Sequence, residues 1–272
     1  MDQALGAADT PTVYFNVQRY DPEVDAKPRY DRFAVPYEPG MTVLQGLLWI
    51  LDHVDGSLAL RYSCREAACG SCAMLVNGWY RLACKTQVKD LRSKEITVQP
   101  LPHYPVIKDL VVDMSGFFAK YRAVQPYLVG GDGQRAVEPA SGPGAPAPEE
   151  VAPGREFRQS PADRAAFEDA TICILCGACT SSCPSFWTNP DYLGPAALLK
   201  GYRFAADTRD CLAERVPLLS GEDGIYRCHT IFNCTAACPK EIPITEALQS
   251  LKRMASRRLL GGGGGGGRQA AR

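Results

Sequence analysis

Four cysteines and a proline decide the fold of the second half of this 272-residue chain. They stand in the stretch Cys173-Ile-Leu-Cys176-Gly-Ala-Cys179-Thr-Ser-Ser-Cys183-Pro184, whose spacing is C-x2-C-x2-C-x3-C-P. Bacterial ferredoxins bind iron–sulfur clusters with this run, and in two-cluster ferredoxins its fourth cysteine ligates the other cluster. The stretch therefore predicts helices wrapped around clusters, with a second run elsewhere in the chain.

The second run keeps this spacing but lacks one cysteine. It reads Cys228-His-Thr-Ile231-Phe-Asn-Cys234-Thr-Ala-Ala-Cys238-Pro239, with isoleucine where the second cysteine would stand. Exchange of the fourth cysteines predicts one site with four thiolates, which suits [4Fe–4S], and one with three, which suits [3Fe–4S]. The four-thiolate site consists of Cys173, Cys176, Cys179 and Cys238, and the three-thiolate site consists of Cys183, Cys228 and Cys234.

A third run near the start of the chain has a different spacing. Its members are Cys64, Cys69, Cys72 and Cys84, in the pattern C-x4-C-x2-C-x11-C. This is the opening spacing of plant-type [2Fe–2S] ferredoxins. The three runs together predict an electron-transfer protein that contains three one-electron cofactors. Cys211, the twelfth cysteine, lies outside every run, and we expect it to be an unreactive thiol.

Structural zinc is the main alternative, because C-x2-C pairs are also zinc signatures. Zinc takes four ligands from two pairs, whereas these runs are triplets followed by Cys-Pro. Disulfides are a weaker alternative, since residues 1–10 show no charged start followed by an apolar secretory core. His53 and His103 have no partners at ligand spacing, so we expect surface or packing roles for them.

Composition excludes several classes of protein. The 30 Lys and Arg residues balance the 30 Asp and Glu residues, so the chain lacks the net positive charge that is typical of nucleic-acid-binding proteins. No apolar run approaches the roughly 20 residues that cross a bilayer. We therefore expect a chain that is soluble by itself and reaches a membrane only through partners.

Hydrophobic patterning predicts an α+β chain with two domains. We expect a plant-type ferredoxin (β-grasp) domain at residues 1–125 and an all-α, bacterial-ferredoxin-like domain at 161–260. Between them, residues 126–160 form a Gly/Pro-rich linker, and residues 261–272 form a flexible glycine tail. The predicted strands are Thr12–Gln18, Arg32–Tyr37, Met74–Val76, Tyr80–Cys84 and Glu95–Val98. The predicted helical stretches are Met41–Val54, Val106–Val124, Pro161–Asp169, Pro195–Ala206 and Ile244–Arg257.

Several stretches together resemble the succinate dehydrogenase and fumarate reductase iron–sulfur protein family, which belongs to respiratory complex II. They are Arg61-Tyr-Ser-Cys-Arg-Glu-Ala-Ala-Cys-Gly-Ser-Cys-Ala-Met74, Pro105-Val-Ile-Lys-Asp-Leu-Val-Val-Asp-Met114, Cys173-Ile-Leu-Cys-Gly-Ala-Cys179, Cys183-Pro-Ser-Phe-Trp187 and Asn189-Pro-Asp191. The similarity extends from about Val13 to Arg257. It departs at the Gly/Pro linker and at the glycine tail.

The resemblance implies a path for electrons. In this family a separate flavoprotein oxidises succinate at a covalently bound FAD, and the iron–sulfur subunit passes electrons through [2Fe–2S], [4Fe–4S] and [3Fe–4S] clusters to quinone. The quinone lies at a membrane anchor, which can also hold haem b. The subunit is peripheral on the cytoplasmic or matrix face of the membrane, and it has no dicarboxylate site of its own.

Two other functions stay open. One is the iron–sulfur subunit of a quinol:fumarate reductase, which runs in the opposite direction; the wording Ser-Phe-Trp at 185–187 favours succinate dehydrogenase. The other is a free-standing soluble ferredoxin, which would need no fused second domain.

The resemblance also implies a quinone pocket. The positions that match it are Pro184, Ser185, Trp187, His229 and Ile231. Packing at an interface is the alternative for Trp187, and a bond to a backbone carbonyl or haem propionate is the alternative for His229. Many relatives have a second tryptophan where this chain has Thr188, so the quinone type stays open.

Overall fold

The computed structural model of the chain describes residues 11–129 and 159–260. Most of the predicted linker and all of the predicted tail, residues 261–272, lie outside the described residues. The described part has a β-rich half followed by a helical half, so the predicted α+β class is confirmed.

The first half is a five-stranded sheet crossed by one helix. Its strands are β1 (Thr12–Arg19), β2 (Arg29–Pro36), β3 (Ala73–Val76), β4 (Trp79–Leu82) and β5 (Glu95–Gln99). They lie in the order β2-β1-β5-β3-β4, and only β1 and β5 are parallel among these pairs. Alternate side chains of β1 face the core, where Val13, Phe15 and Val17 are buried.

Helix α1 (Val43–His53) covers this sheet. It begins where the sequence predicts, because Thr42 and Gln45 form a reciprocal capping box. A side chain at Gly46 would overlap the ring of Phe15, so glycine lets the helix lie directly on β1.

The prediction of one helical stretch from Val106 to Val124 is wrong. The chain forms a hairpin of β6 (Val106–Lys108) and β7 (Val111–Val112), and only then α2 (Ser115–Ala123). Asp109 turns the hairpin with a φ of +46°. Its buried carboxylate accepts hydrogen bonds from the N–H groups of Tyr20 (3.0 Å) and Ala59 (2.9 Å) and pairs with Arg19 (3.1 Å). These tertiary contacts override the helical pattern.

The second half is helical. Its helices are α3 (Pro161–Ala165), α4 (Glu168–Thr171), α5 (Ala178–Ser181), α6 (Pro184–Thr188), α7 (Gly194–Ala205), α8 (Leu212–Leu219), α9 (Asn233–Ala236) and α10 (Ile244–Leu260). Helix α7 packs against α8 and α10. The predicted helix at Pro161–Asp169 is two short helices, and α8 had no prediction. Within the described residues, no helix is long and apolar enough to span a membrane.

One buried arginine ties the end of the first half to α8. Arg215 is fully buried and pairs with the equally buried Asp210 at 2.8 Å. Its guanidinium also donates to the carbonyls of Val124, Gln125 and Tyr127, just after α2. Because a buried charge is costly unless it is paired and hydrogen-bonded, this set of contacts fixes where the chain leaves the first half.

Candidate metal centres

The first group of thiols lies on a tightly curled loop between α1 and β3. The group consists of Cys64, Cys69, Cys72 and, just after β4, Cys84. Arg65 and Ala67 adopt positive φ angles of 62° and 61°, which turn backbone N–H groups inward. The Cys64 Sγ accepts from the N–H groups of Ala68 and Cys69, both at 3.3 Å, and the Cys84 Sγ accepts from Ala67 at 3.2 Å. Such donors stabilise negative charge on sulfur.

The environments of these thiols differ. Hydrogen bonding from Ser71 first, and from the backbone of Cys64, lowers the pKa of Cys69 to about 6. Burial raises the pKa of Cys72 to about 12. A metal ligand must be a thiolate, so the positive charge of bound iron would offset the cost of ionising the buried Cys72.

The second group lines a small cavity. Its members are Cys173, Cys176, Cys179 and Cys238. Burial raises the pKa of Cys176 to about 12 and raises that of Cys179 well above its ordinary value. Gly177, with a φ of +83°, begins the turn between them. Neutral thiols are favoured here until a cation binds.

The third group lines another small cavity. Cys183, Cys228 and Cys234 line it together with Ile231. Cys183 thus stands with members of the later run, while Cys238 stands with members of the earlier one. The structure therefore brings together the residues of both predicted ligand sets, including the exchange of the fourth cysteines.

Both cavities fit an iron–sulfur cluster. Among the described residues, no three His, Cys, Asp or Glu side chains converge closely enough to hold a single metal ion. The thiols instead line the two cavities in sets of four and three, and several thiolates around one shared space are the donor set that iron–sulfur clusters require. In the third cavity the hydroxyl of Tyr192 is buried and has no hydrogen-bond partner among the described residues. A cluster there would supply sulfur atoms as acceptors.

The first two groups meet where the two halves of the protein touch. A Cβ at Gly70 would lie 2.9 Å from the Cβ of Cys176, so the loop of the first group contacts a member of the second. Hydroxyls of Tyr80 and Tyr104 donate across the same seam to the carbonyls of Ser181 (3.1 Å) and Gly177 (3.3 Å). The second group in turn adjoins the third, since α5, which carries Cys179, packs against α9, which carries Cys234. The groups follow one another as first, second and third.

Four of the five predicted quinone-pocket residues lie together. Pro184, Ser185, His229 and Ile231 line the third cavity, and Ile231 is 48% exposed at its rim. Trp187 is not among the lining residues.

Trp187 points to a different part of the surface. Its indole N–H donates to the carbonyl of Ser181 at 2.7 Å, and its ring stacks on His103 at 4.3 Å between centroids. This stacking could not be inferred from the sequence, because it depends on contact between the two halves and on a φ of +63° at His103.

Cys211 and His53 stand apart from the three groups. Cys211 is half-buried, precedes α8 and lines neither cavity. His53 is exposed and stacks on Trp49 within α1. Tyr192 is the cavity residue that sequence reasoning missed. No spacing marks it, and only the position of its hydroxyl in the fold reveals it.

Comparison with protein families finds two matches. A family described as "2Fe-2S iron-sulfur cluster binding domain" matches residues 14–119, and one described as "4Fe-4S dicluster domain" matches residues 169–242. The matched ranges contain the first group of thiols and the second and third groups, respectively.

Similar proteins cover nearly the whole chain. The succinate dehydrogenase iron–sulfur subunit of Paracoccus denitrificans is 40% identical over 249 residues, which are 90% of this chain and 89% of that protein. The fumarate reductase iron–sulfur subunit of Mycobacterium tuberculosis is 39% identical over 245 residues, 90% of this chain and 93% of that one. A chain in the Mycobacterium smegmatis Sdh1 complex in the apo form superposes with a TM-score of 0.73 at 26% identity, covering 92% of this chain and 98% of that one.

Proposed function

The chain belongs to the succinate dehydrogenase and fumarate reductase iron–sulfur subunit family, and on that premise we propose that it conducts electrons from an FAD-containing flavoprotein to quinone at a membrane anchor during succinate oxidation. The observation that carries the proposal is the succession of three adjoining groups of thiols, from the β-rich half into the helical half. A single site would suit a local redox role, whereas a series of adjoining sites suits transport.

The roles of the residues follow from their contacts. When bound, iron–sulfur clusters supply one-electron oxidation and reduction. We assign [2Fe–2S] to the first group, [4Fe–4S] to the second and [3Fe–4S] to the third, whose three thiolates leave one corner to Ile231. Backbone donors such as those of Ala67 and Ala68 hold negative charge on the first group's sulfurs. Burial of Cys179 and Cys234 keeps water from the other two groups.

The rim of the third cavity supports a quinone site. Ile231 and Phe232 expose 48% and 55% of their surface there, and exposed His229 adds a polar side chain. A quinone needs an apolar wall with a few polar partners, which this rim supplies with Pro184 and Ser185. Trp187 lies outside this rim and its indole N–H is engaged by the Ser181 carbonyl, so we assign the quinone site to the other four residues. We therefore propose that this face lies towards the membrane, on its cytoplasmic or matrix side.

The opposite direction of catalysis is the second candidate. The Mycobacterium tuberculosis relative is named a fumarate reductase subunit, and its identity of 39% nearly equals the 40% of the Paracoccus succinate dehydrogenase subunit. The tryptophan in Ser185-Phe-Trp187 favours succinate oxidation. Direction depends on cluster and quinone potentials, which the surroundings set.

Isolation of the native complex tests the proposal. A tagged chain is purified from detergent-solubilised membranes of its source, and succinate-driven quinone reduction is compared with quinol-driven fumarate reduction. We expect a flavoprotein and a membrane subunit to co-purify and the succinate-driven rate to be the larger. A larger fumarate-driven rate would favour the second candidate. A chain that purifies alone, with its clusters bound, would instead indicate a free ferredoxin.

A further inference from the structure

Tyr192 carries a buried hydroxyl with nothing in the protein to bond. The residue lies in the segment that connects α6 to α7, and it is fully buried. Its backbone is engaged, since its N–H donates to the Asn189 carbonyl at 3.2 Å and its own carbonyl accepts from Lys120 at 2.8 Å. Its hydroxyl has no hydrogen-bond partner among the described residues. A buried hydroxyl without a hydrogen-bond partner is unfavourable, so a partner from outside the chain is expected.

The position of Tyr192 points to that partner. Its side chain lines the third cavity beside Cys183, Cys228 and Cys234. A second hydroxyl on the same cavity, that of Thr245, is already paired with Thr235 at 2.8 Å. Among the residues that line this cavity, Tyr192 is the one whose buried polar atom has no partner in the described part of the chain, so its hydroxyl is available to whatever fills the cavity.

The hydroxyl can act only as a donor to sulfur. A phenol has an ordinary pKa of about 10, so it is protonated at neutral pH. The phenol therefore keeps its proton, and the sulfur atoms of a cluster are the acceptors that the cavity would contain.

We propose that the Tyr192 hydroxyl donates a hydrogen bond to a sulfur atom of the cluster bound by Cys183, Cys228 and Cys234, and that this bond raises the cluster's reduction potential. The inference rests on the proposed function, because it needs a cluster in the third cavity. Reduction adds one electron and increases negative charge on sulfur, so a fixed donor stabilises the reduced state more than the oxidised state. The proton stays on the tyrosine throughout, and no bond forms or breaks.

Removal of this one hydroxyl tests the inference. In the Tyr192→Phe complex, the oxidised-state electron paramagnetic resonance (EPR) signal of the three-iron cluster is titrated against ambient potential. At a fixed potential we expect the ratio of reduced to oxidised cluster to fall about tenfold, which corresponds to about 59 mV for one electron. The control is Tyr202→Phe, which removes a hydroxyl from α7 that donates to the Ala166 carbonyl at 2.7 Å and does not line the cavity. We expect no shift for the control.

A second measurement reports the bond itself. After exchange into deuterated water, pulsed EPR of the oxidised wild-type cluster is expected to show a coupled deuteron that Tyr192→Phe lacks. An unchanged potential together with a retained deuteron would overturn the inference and assign the tyrosine to a buried water. Should the variant fail to assemble, absence of the coupling in wild type would overturn it equally. A wild-type complex without a three-iron signal would instead refute the cluster assignment in the proposed function.

Discussion

Ile231 stands where a fourth thiolate would complete the third group. Its side chain lines the cavity, yet nearly half of it is exposed at the rim. One hydrocarbon side chain therefore affects two properties, the number of irons that the site can hold and the wall that a quinone would contact. A substitution here must separate these two effects.

We expect Ile231→Cys to convert the third cluster from [3Fe–4S] towards [4Fe–4S]. The new thiolate restores C-x2-C-x2-C-x3-C-P and supplies the ligand for an additional iron. The oxidised-state EPR signal should disappear, a reduced-state signal should replace it, and the potential should fall because the family places a comparatively high-potential acceptor here. Quinone reduction should slow while flavin reduction by succinate is retained.

Phe232→Cys is the matched control for this change. It adds an equally exposed thiol on the same rim, one position away from the required spacing. We expect the three-iron signal to persist in this variant. Conversion by Phe232→Cys, or an unchanged cluster type and potential in Ile231→Cys, would show that the spacing does not determine the number of irons.

The sequence predicted the grouping of the thiols better than it predicted their neighbours. The Cys-x2-Cys spacing and the exchange of Cys183 and Cys238 are properties of linear sequence, so they could be inferred without a fold. Tyr192 and His103 act through contacts between segments far apart in the chain. No periodicity carries information of that kind.

The two cysteine loops touch at Gly70, and we expect Gly70→Ala to loosen this contact. Glycine is favoured there for two reasons. Its φ is +75°, and a Cβ added at this position would lie only 2.9 Å from the Cβ of Cys176. The strained φ alone should cost about 1–2 kcal/mol, and the overlap about 1–3 kcal/mol more. A larger separation should weaken the magnetic interaction between the first two reduced clusters, which EPR power saturation measures.

Gly78→Ala is the control that separates the effect of backbone strain from the effect of the contact with Cys176. Gly78 has nearly the same φ, +77°, but an added Cβ would meet nothing within 4 Å. We expect this variant to lose about 1–2 kcal/mol of stability for the strain and to leave the magnetic interaction unchanged. Equal effects of the two substitutions on power saturation would contradict the role given to the contact.

We expect Arg215→Ala to destabilise the protein by about 3–5 kcal/mol, because it leaves the fully buried Asp210 without its partner. Three carbonyls after α2 would also lose their donors. The comparison is Arg227→Ala, which removes an exposed pair with Glu222 at 3.5 Å and should cost at most about 1 kcal/mol. Thermal unfolding of both variants measures the difference, and similar losses would argue against a structural role for the buried pair.

Local pattern predicted helices better where capping agreed with periodicity. The helices predicted at Met41–Val54 and Pro161–Asp169 begin at Val43 and Pro161, each directly after a residue whose side chain caps it, Thr42 and Ser160. The β6–β7 hairpin was not predicted, because buried Asp109 and its contacts with Arg19 form only in the folded sheet. Helix α8 was missed as well, and it carries Pro217 within its span.

The complete chain should contain three spectroscopically distinct clusters. We expect an oxidised-state EPR signal from the third group and reduced-state signals from the first and second, with iron near nine atoms per chain, which is two plus four plus three. Chemical analysis of iron and sulfide on the purified complex provides the count. Stoichiometric zinc, or two four-iron clusters, would refute the ligand sets.

The exchange of Cys183 and Cys238 between groups also determines the order in which the three ligand sets are completed during translation. The first group is complete once residue 84 has been synthesised, so its cluster can be inserted while the chain is still growing. The third ligand set is complete only at residue 234 and the second only at residue 238, on the order of ten seconds later at translation rates of about 5–20 residues per second. A message truncated before codon 234 would therefore yield a fragment with the ligands of the first cluster alone.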